Sequence, residues 1–318
     1  MTNVNGPKVV VIGGGTGLPV LLRGLRKFPI NLSAIVTVSD DGGSTGRLRE
    51  DLSMPAPGDI RKVIASMSDV EPTLLELFQH RFEDGNGLSG HALGNLILAG
   101  MTSITGDFYK GIKEISRVFN VKGRIYPIAN ENMYLKAAFS DGTVVRGESN
   151  IPEVNKPIER VFYDPPHVQP LPEAVNAIKQ AELIVIAPGS LYTSIIPNLI
   201  SREIKDALRQ TNAQTVYVCN VMTQHGETTG YKASDHIKAM HRHVDDSFVD
   251  SIVIHGEQIE TTIKQEYEKE QAEPVVCDRD ELEAMDVEVI KGDIADLHTD
   301  GTLKHHEHKI AKLLYELL

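Results

Sequence analysis

The sequence predicts an α/β fold built on a doubly wound, mostly parallel sheet that carries a small antiparallel β insertion. This prediction depends on three observations. Short β-branched runs recur along the chain, helical patterns lie between them, and residues 124–165 break the alternation. Strands that alternate with helices form right-handed βαβ units and therefore a parallel sheet.

Five runs have the composition of strands that are covered on both faces. Each is a short apolar stretch that ends in Gly, Ser, Asp or Asn, which is typical of buried parallel strands. These runs span residues 8–14, 32–39, 181–189, 214–222 and 250–256, and one more strand is predicted at 287–294. Together with the intervening helices they predict a Rossmann-like arrangement.

Residues 124–165 have a different pattern. The segment YLKAAFSDGTVVRGESNI indicates two strands around an Asp141-Gly142 pair, which is typical of a tight hairpin turn. We interpret 124–165 as an antiparallel insertion on the main domain. A chain of this length suits one large α/β domain or two smaller ones, and we expect residues 1–318 to form one.

The composition excludes several classes of protein. Lys and Arg number 32 against 44 Asp and Glu, and the net charge of −12 argues against binding to nucleic acids or anionic membranes. No apolar run reaches the ~18 residues of a membrane-spanning helix, and the start MTNVNGPKVV lacks the features of a signal peptide. We therefore expect a cytoplasmic protein without membrane insertion. Cys219 and Cys277 form neither a disulfide framework nor a zinc pattern.

A glycine-rich turn, GGGTG, follows the first predicted strand. A dinucleotide fingerprint requires G-x-G-x-x-G, but Leu18 stands where its last glycine belongs, so a nicotinamide cofactor is a weak alternative. A Walker loop requires a lysine that this turn lacks. Glycines such as Gly14 and Gly15 allow the backbone to approach a ligand, and the next helix N-terminus favours an anion. A tight turn without a ligand is the other interpretation.

A second loop, SDDGGSTGRLRED, follows the second predicted strand. Asp40 and Asp41 are candidates to hold a ribose, a substrate hydroxyl or Mg²⁺ through their oxygens, and Arg47 and Arg49 are candidates to meet phosphates. Turn chemistry and helix capping explain the aspartates equally simply, and a solvated face explains the arginines. Two such loops after the first two strands favour a ligand more than either does alone.

Two further segments are weaker signals. In PAPGDIRKVI, Asp59 is expected to cap a helix, and Arg61 in its first turn opposes the helix dipole, which suggests a bound anion. In GHALGNLILAG, His91 and Asn95 share a helix face if the segment is helical, and a structural role is the commoner one for such a histidine.

Loops after two later strands complete the set. APGSLYTSIIPNL supplies hydroxyls and N–H groups for a phosphate, and Asn220, Thr223 and Glu227 lie just beyond another strand. In open α/β sheets, ligands bind outside the carboxyl ends of the strands, where all these loops are expected. Two clusters of histidines are expected at the surface, since no zinc spacing accompanies them: His241 and His243, and His305, His306 and His308. No G-x-S-x-G elbow supports a hydrolase triad.

The ordered motifs GGGTGLPVLLRGL, TVSDDGGSTGRLR, PAPGDIRK, GHALGNLIL, APGSLYTSIIPNL and NVMTQHGET resemble those of the bacterial gluconeogenesis factor (YvcK) family over about residues 8–315. That family is related to 2-phospho-L-lactate transferase (CofD). The resemblance implies a cytoplasmic protein that binds a UDP-sugar and is needed for cell shape on gluconeogenic carbon sources. The related transferase implies the alternative, a Mg²⁺-dependent transfer of a phospholactyl-type group from a nucleotide to an alcohol.

The resemblance also implies where a ligand binds. Carried over by position, the phosphate and nucleotide contacts are Gly14, Thr16, Gly17, Gly189, Ser190 and Thr193. Asp40 and Asp41 then line the sugar or acceptor side, and they are the catalytic or metal-binding residues if the protein is an enzyme. Asn220 and Thr223 are less direct assignments. No cofactor besides Mg²⁺ is implied, a homodimer is expected from base rates, and a regulatory role requires a protein partner that the sequence does not identify.

Overall fold

The computed structural model describes residues 6–298 and 302–318. Within them the chain forms the strands β1 (Lys8–Gly13), β2 (Asn31–Val36), β3 (Arg124–Pro127), β4 (Tyr134–Phe139), β5 (Val144–Arg146), β6 (Ile158–Asp164), β7 (Leu183–Ile186), β8 (Gln214–Val218), β9 (Ser251–His255), β10 (Glu288–Gly292), β11 (Ala295–Leu297) and β12 (Leu303–His305). The five buried strands expected from the sequence are β1, β2 and β7 to β9, and the further strand predicted at 287–294 is β10, so those predictions are confirmed.

The helices alternate with these strands. They are α1 (Gly17–Leu25), α2 (Gly43–Leu52), α3 (Gly58–Met67), α4 (Pro72–Gln79), α5 (Leu93–Thr105), α6 (Phe108–Val118), α7 (Pro172–Lys179), α8 (Arg202–Gln210), α9 (Ala233–Val244), α10 (Thr261–Lys269), α11 (Arg279–Glu283) and α12 (Glu307–Tyr315). A π-helical turn, Leu191–Ile195, and a 3₁₀ turn, Ile196–Asn198, follow β7. None of the described helices is long and apolar enough to cross a membrane.

The central sheet has seven strands in the order β10-β9-β8-β7-β1-β2-β3, and every neighbouring pair is parallel. The chain builds outward from β1 to β3 and then returns to the other side of β1 with β7. This confirms the predicted doubly wound sheet and places its switch point between β1 and β7. The residues of β1, β7 and β8 form the core, where Val9, Val11 and Ile12 have no exposed surface.

The small sheet is antiparallel, with the order β5-β4-β6. The sequence predicts two of its strands, and the third, β6, is an addition from the structure. Arg124–Pro127, expected within the insertion, pairs instead with β2 at the edge of the main sheet. The small sheet contacts α9 through His243, whose Nε2 accepts a hydrogen bond from Val161 N at 3.0 Å and whose Nδ1 faces Ala239 O at 2.7 Å.

The expectation of surface histidines is wrong for His243. It is 1% exposed because it lies on the inner face of α9, and burial lowers its pKa to about 4. His241 and His305 are half-buried, and His306 caps α12 by accepting from the N–H groups of His308 and Lys309 at 3.2 Å. His308 is exposed, as expected.

The last helix, α12, packs against the first, α1. A Cβ atom on Gly24 of α1 would lie 2.0 Å from the carbonyl oxygen of Glu307, so only glycine allows this approach. The Glu307 carboxylate also pairs with Arg23 at 3.2 Å and with Lys27 at 2.7 Å. The last helix of the chain therefore packs against the first helix, α1, which begins directly after the first glycine loop.

Candidate functional site

Two glycine loops meet at the switch point of the sheet. A Cβ atom on Gly17 would lie 2.2 Å from the carbonyl oxygen of Pro188, and one on Gly189 would lie 3.4 Å from that of Gly14. The first distance is shorter than side chains tolerate, so the two backbones approach this closely because position 17 is glycine. The loop after β1 and the loop after β7 therefore lie side by side at the N-terminus of α1, a location that favours an anion.

The carboxylate of Asp59 holds the first of these loops. Its Oδ2 accepts a hydrogen bond from Gly15 N at 2.6 Å, and its Oδ1 pairs with Lys62 Nζ at 2.8 Å. The expected capping role of Asp59 is wrong, because Pro57 is the N-cap of α3 and Asp59 lies in the first turn. A position inside the turn directs the carboxylate toward β1 instead of toward the N–H groups of its own helix.

The aspartate loop after β2 is fixed by its own backbone and by the small sheet. Asp40 Oδ1 accepts from Gly42 N at 2.9 Å, and Asp41 Oδ1 accepts from Ser149 N at 2.9 Å. Ser39 Oγ donates to Glu148 Oε2 at 3.0 Å. The turn after β5 therefore brings a further carboxyl group, Glu148, to a site that the sequence motifs assign to the main sheet alone.

The carboxyl groups of this region raise one another's affinity for protons. Burial raises the pKa of Asp40. The hydrogen bond from Gly42 N lowers this pKa, whereas the charge of Asp59 raises it further. Burial also raises the pKa of Glu148 well above its ordinary value, with contributions from the charges of Asp40 and Asp59. A bound cation would relieve this repulsion.

The site nevertheless offers a metal ion few protein ligands. Across residues 6–298 and 302–318, no group of three or more His, Cys, Asp or Glu side chains is arranged to hold one. Asp40 and Asp41 each use Oδ1 for a backbone N–H. Because Mg²⁺ often binds through one or two carboxylates together with phosphate oxygens, the pair fits an ion shared with a phosphate ligand.

Arg49 holds the aspartate loop from inside the protein. It is 1% exposed, and its Nη1 donates to the carbonyl oxygens of Ser39 at 2.9 Å and Asp40 at 2.8 Å. Its Nη2 donates to Asn132 Oδ1 at 2.8 Å, and burial lowers its pKa. A guanidinium with these partners orders the loop from inside the protein, and phosphate binding by Arg49 stays a prediction.

The other two arginines also have partners within the protein. Arg47 Nη2 donates to Ser89 O at 2.6 Å, on the exposed side of α2. Arg61 is buried, its Nε donates to Asn95 Oδ1 at 3.0 Å, and burial lowers its pKa. Phosphate binding by either arginine stays a prediction.

The segment around His91 ties α5 to the second loop. His91 Nδ1 lies 3.0 Å from Ser44 Oγ, and Asn95 Nδ2 donates to the same hydroxyl at 3.4 Å. All three side chains are buried, and burial lowers the pKa of His91. This arrangement supports the structural interpretation of His91.

Asn220 connects the loop after β8 to the second glycine loop. Its Oδ1 accepts from Gly189 N at 2.9 Å, and its Nδ2 donates to Gly189 O at 2.7 Å. These two hydrogen bonds fix the backbone of Gly189 and engage both the oxygen and the nitrogen of the Asn220 side-chain amide. Thr223, by contrast, is buried, and its Oγ1 accepts from Glu273 N at 2.9 Å.

The carboxylate of Glu227 bonds to Thr193, for which the sequence suggested a phosphate; phosphate binding by Thr193 stays a prediction. Thr193 Oγ1 donates to Glu227 Oε1 at 2.6 Å, and Tyr192 N donates to Glu227 Oε2 at 2.9 Å. Glu227 is 5% exposed, and burial raises its pKa. Glu227 therefore satisfies the N-terminus of the π-helical turn internally.

A cleft of about 440 Å³ opens beside the two glycine loops. One side consists of loop backbone and the other of apolar and aromatic side chains from α10, the loop after β8 and β12. It is lined by Thr16, Gly17, Val20, Pro188, Gly189, Asn220, Val221, Met222, Tyr267, Leu303, Lys304 and His305. Tyr267 is anchored there, because its OH accepts from Leu303 N at 2.9 Å.

The structure thus groups the predicted residues in three ways. Thr16, Gly17, Gly189 and Asn220 line the cleft, while Gly14 and Gly15 form the loop behind it. Asp40 and Asp41 lie in the neighbouring loop, which the small sheet holds. Four predicted residues form hydrogen bonds with protein groups outside the cleft: Arg47, Arg61, Thr193 and Thr223. Ligand binding by Ser190 stays a prediction.

Comparison with known proteins gives consistent matches. Residues 9–295 match the family model described as 2-phospho-L-lactate transferase CofD. A protein of Halalkalibacterium halodurans named gluconeogenesis factor is 54% identical over 97% of this chain and 95% of its own length. A protein of Bacillus subtilis with the same name is 53% identical over 98% of each chain.

Solved structures agree with these matches. An X-ray crystal structure of a Bacillus halodurans protein superposes with a TM-score of 0.95 at 53% identity, covering 98% of this chain and 100% of that one. The α/β architecture is therefore shared with an experimental structure, and the resemblance inferred from the ordered motifs is confirmed.

Proposed function

The chain belongs to the CofD family, and on that premise we propose that it is a gluconeogenesis factor that binds a UDP-sugar in the cytoplasm. In this role it would support cell shape and cell-wall morphogenesis during growth on gluconeogenic carbon sources, without catalysing a reaction. The observation that carries the proposal is the cleft that joins two glycine loops to an apolar and aromatic wall.

The two sides of the cleft match the two parts of a nucleotide. The N-terminus of α1, which begins at Gly17, suits a diphosphate, because a diphosphate carries negative charge and does not need a particular side chain. The loop at Gly189 lies beside it, with its own N–H bonded to Asn220. Met222, Tyr267 and Leu303 offer the flat apolar surface that a base requires. The Asp40-Asp41 loop then remains for the hydroxyls of the sugar.

A regulatory role is favoured by how the polar groups are used. Hydrogen bonds to other protein groups are made by Asn220, Thr193 and Arg49, which supports a role for them in ordering the loops. The buried Ser44–His91 pair is part of a packed network that includes Asn95. We propose that the loops form a binding site whose occupancy is read by a partner protein.

The alternative function is a Mg²⁺-dependent transferase that moves a phospholactyl-type group from a nucleotide to an alcohol. Two observations favour it: the family model carries that activity in its description, and Asp40 and Asp41 could share Mg²⁺ with a phosphate. Asp41→Asn tests it, because asparagine can still accept from Ser149 N while losing the charge that holds the ion.

The two functions are separated by calorimetry of the purified protein with UDP-N-acetylglucosamine, UDP-glucose, GDP and GTP, each with and without Mg²⁺. Ligand at 100 times its Kd stabilises a protein by about 2.7 kcal/mol, so melting curves give an independent readout. Binding of the UDP-sugars alone supports the regulator. Mg²⁺-dependent binding of guanine nucleotides, lost in Asp41→Asn, supports the transferase.

A matched pair of variants locates the site. Val20→Phe places a ring in the cleft, whereas Val118→Phe places one on the exposed face of α6, where Val118 is 56% exposed. We expect the first variant to lose UDP-sugar binding and the second to retain it. Equal binding by both variants would mean that the cleft is not the nucleotide site.

A further inference from the structure

A second cavity lies at the opposite end of the sheet from the glycine loops. It has a volume of about 210 Å³ and is enclosed by the first halves of β1, β2 and β3 and by α7. Val10 in its floor precedes Gly14 by four positions, a distance of about 13 Å at about 3.3 Å per residue. The cavity is therefore separate from the cleft described above.

The floor of this cavity contains two hydroxyl groups that make no hydrogen bond with the residues that the structure describes. Ser33 and Tyr126 line the cavity and are each 6% exposed. Both hydroxyl oxygens keep some accessible surface, and the ring of Tyr109 lies beside that of Tyr126 with centroids 6.1 Å apart. A hydroxyl that is accessible and has no protein partner is available to a polar ligand or to water.

The rim of the cavity is charged. Arg124 and Lys8 supply two cations, and Arg124 makes no ion pair within the residues that the structure describes. Lys8 Nζ donates only to Gln180 Oε1, at 3.3 Å, and so keeps donors for another partner. A guanidinium and an ammonium at one opening form a natural site for a phosphate group.

The remaining rim residues have a different chemistry. Asn31, Asn176 and Glu173 present amide and carboxylate oxygens and amide N–H groups, which pair well with the hydroxyls of a polyol. The volume is below the roughly 300–1,000 Å³ of sites for drug-sized molecules, so the cavity admits a small metabolite and excludes a whole nucleotide.

We propose that this cavity is a second ligand site and that it binds a small polyol phosphate. The phosphate lies between Arg124 and Lys8, and the hydroxyls reach Ser33, Tyr126 and the polar side chains of α7. The proposal does not depend on the nucleotide site, because the two sites share no residue.

The test is calorimetric titration of the purified protein with glucose 6-phosphate and glycerol 3-phosphate, with glucose and inorganic phosphate as the two partial probes. We expect both sugar-type phosphates to bind at least tenfold more tightly than either partial probe. Failure of all four to bind at millimolar concentration would overturn the proposal. Inorganic phosphate that binds as tightly as the larger compounds would overturn the assignment of the polyol.

Variants establish the location. Arg124→Gln lies on an exposed rim and is expected to fold normally and to weaken binding at least tenfold, while Arg117→Gln, an exposed arginine on α6, leaves it unchanged. The affinity is also measured in Ser33→Val, which removes one hydroxyl group from the floor of the cavity. Unchanged affinity in both Arg124→Gln and Ser33→Val would refute this location. UDP-sugar binding measured in the same variants should be unaffected, which separates this result from the outcome at the cleft.

Discussion

Replacing Asp59 with asparagine tests the claim that one carboxylate holds the first glycine loop. The substitution keeps the shape of the side chain and an acceptor for Gly15 N, but it removes the charge from a 2.6 Å hydrogen bond and from the 2.8 Å pair with Lys62. The loss of charge assistance costs about 1 kcal/mol. The Lys62 pair adds roughly 0.5 kcal/mol, since Lys62 is partly exposed and screened.

The expected loss of about 1–2 kcal/mol converts into a shift of the melting temperature. The entropy of unfolding is about 2.1 cal/mol/K per residue, so in a chain of 318 residues each 1 kcal/mol lowers Tm by about 1.5 °C. Asp59→Asn should therefore melt roughly 1.5–3 °C below the wild type in differential scanning calorimetry without ligand.

The matched control is Asp69→Asn. Asp69 also pairs with a lysine, Lys122, at 3.1 Å, but its side chain is 61% exposed and holds no loop. We expect its Tm to stay within about 0.7 °C of the wild type, as for other exposed pairs. If the two variants melt at the same temperature, the bond from Gly15 N to Asp59 does not stabilise the loop and the reasoning is wrong.

Three other predictions follow from named contacts. Gly17→Ala would place a Cβ atom 2.2 Å from Pro188 O, so it should lower stability by about 1–3 kcal/mol in urea unfolding, whereas Gly100→Ala, where the space is open, should not destabilise. Tyr267→Ala should weaken UDP-sugar binding at least fivefold by calorimetry, with Tyr315→Ala as the control outside the cleft. Stability should also fall as pH decreases from about 6.5 to about 4, because burial lowers the pKa values of His236 and His243 to about 4 and the unfolded chain binds their protons first.

Each of these has an outcome that contradicts it. If Gly17→Ala is as stable as the wild type, the two loops can separate without a loss of stability. If Tyr267→Ala binds with unchanged affinity, Tyr267 does not contact the ligand. For the pH prediction, the double variant His236→Gln/His243→Gln should show a flatter dependence over the same range. An equally steep decline in that variant would assign the acid sensitivity to other groups.

The positions of the loops could be predicted from the sequence because they follow from strand order alone. Glycine and aspartate turns after parallel strands must emerge at one edge of the sheet, and the structure brings Gly17 and Gly189 together there. The same reasoning gave the buried strands, since continuous apolar runs have few other places in an α/β protein.

The residues that complete the site were not predictable in this way, because they depend on contacts between distant segments. Glu148 meets Ser39 across 109 positions, and Tyr267 reaches β12 from α10, a helix rich in charged residues. Asp59 carried a local signal, but capping and loop support use the same carboxylate, and only the position of Pro57 distinguishes them. The burial of His243 was not predictable for a similar reason, because the spacing of residues along a helix does not determine which face packs against the core.

The packing of α12 against α1 has a consequence for biosynthesis. The helix that begins at the glycine loop leaves the ribosome early, but its apolar face and the close approach at Gly24 are completed by residues near 307–315. The neighbour of β1 on one side, β7, is also made only after more than half of the chain. The first glycine loop therefore lacks its final supports during most of translation, so its folding is expected to be completed only after the last helix has been synthesised.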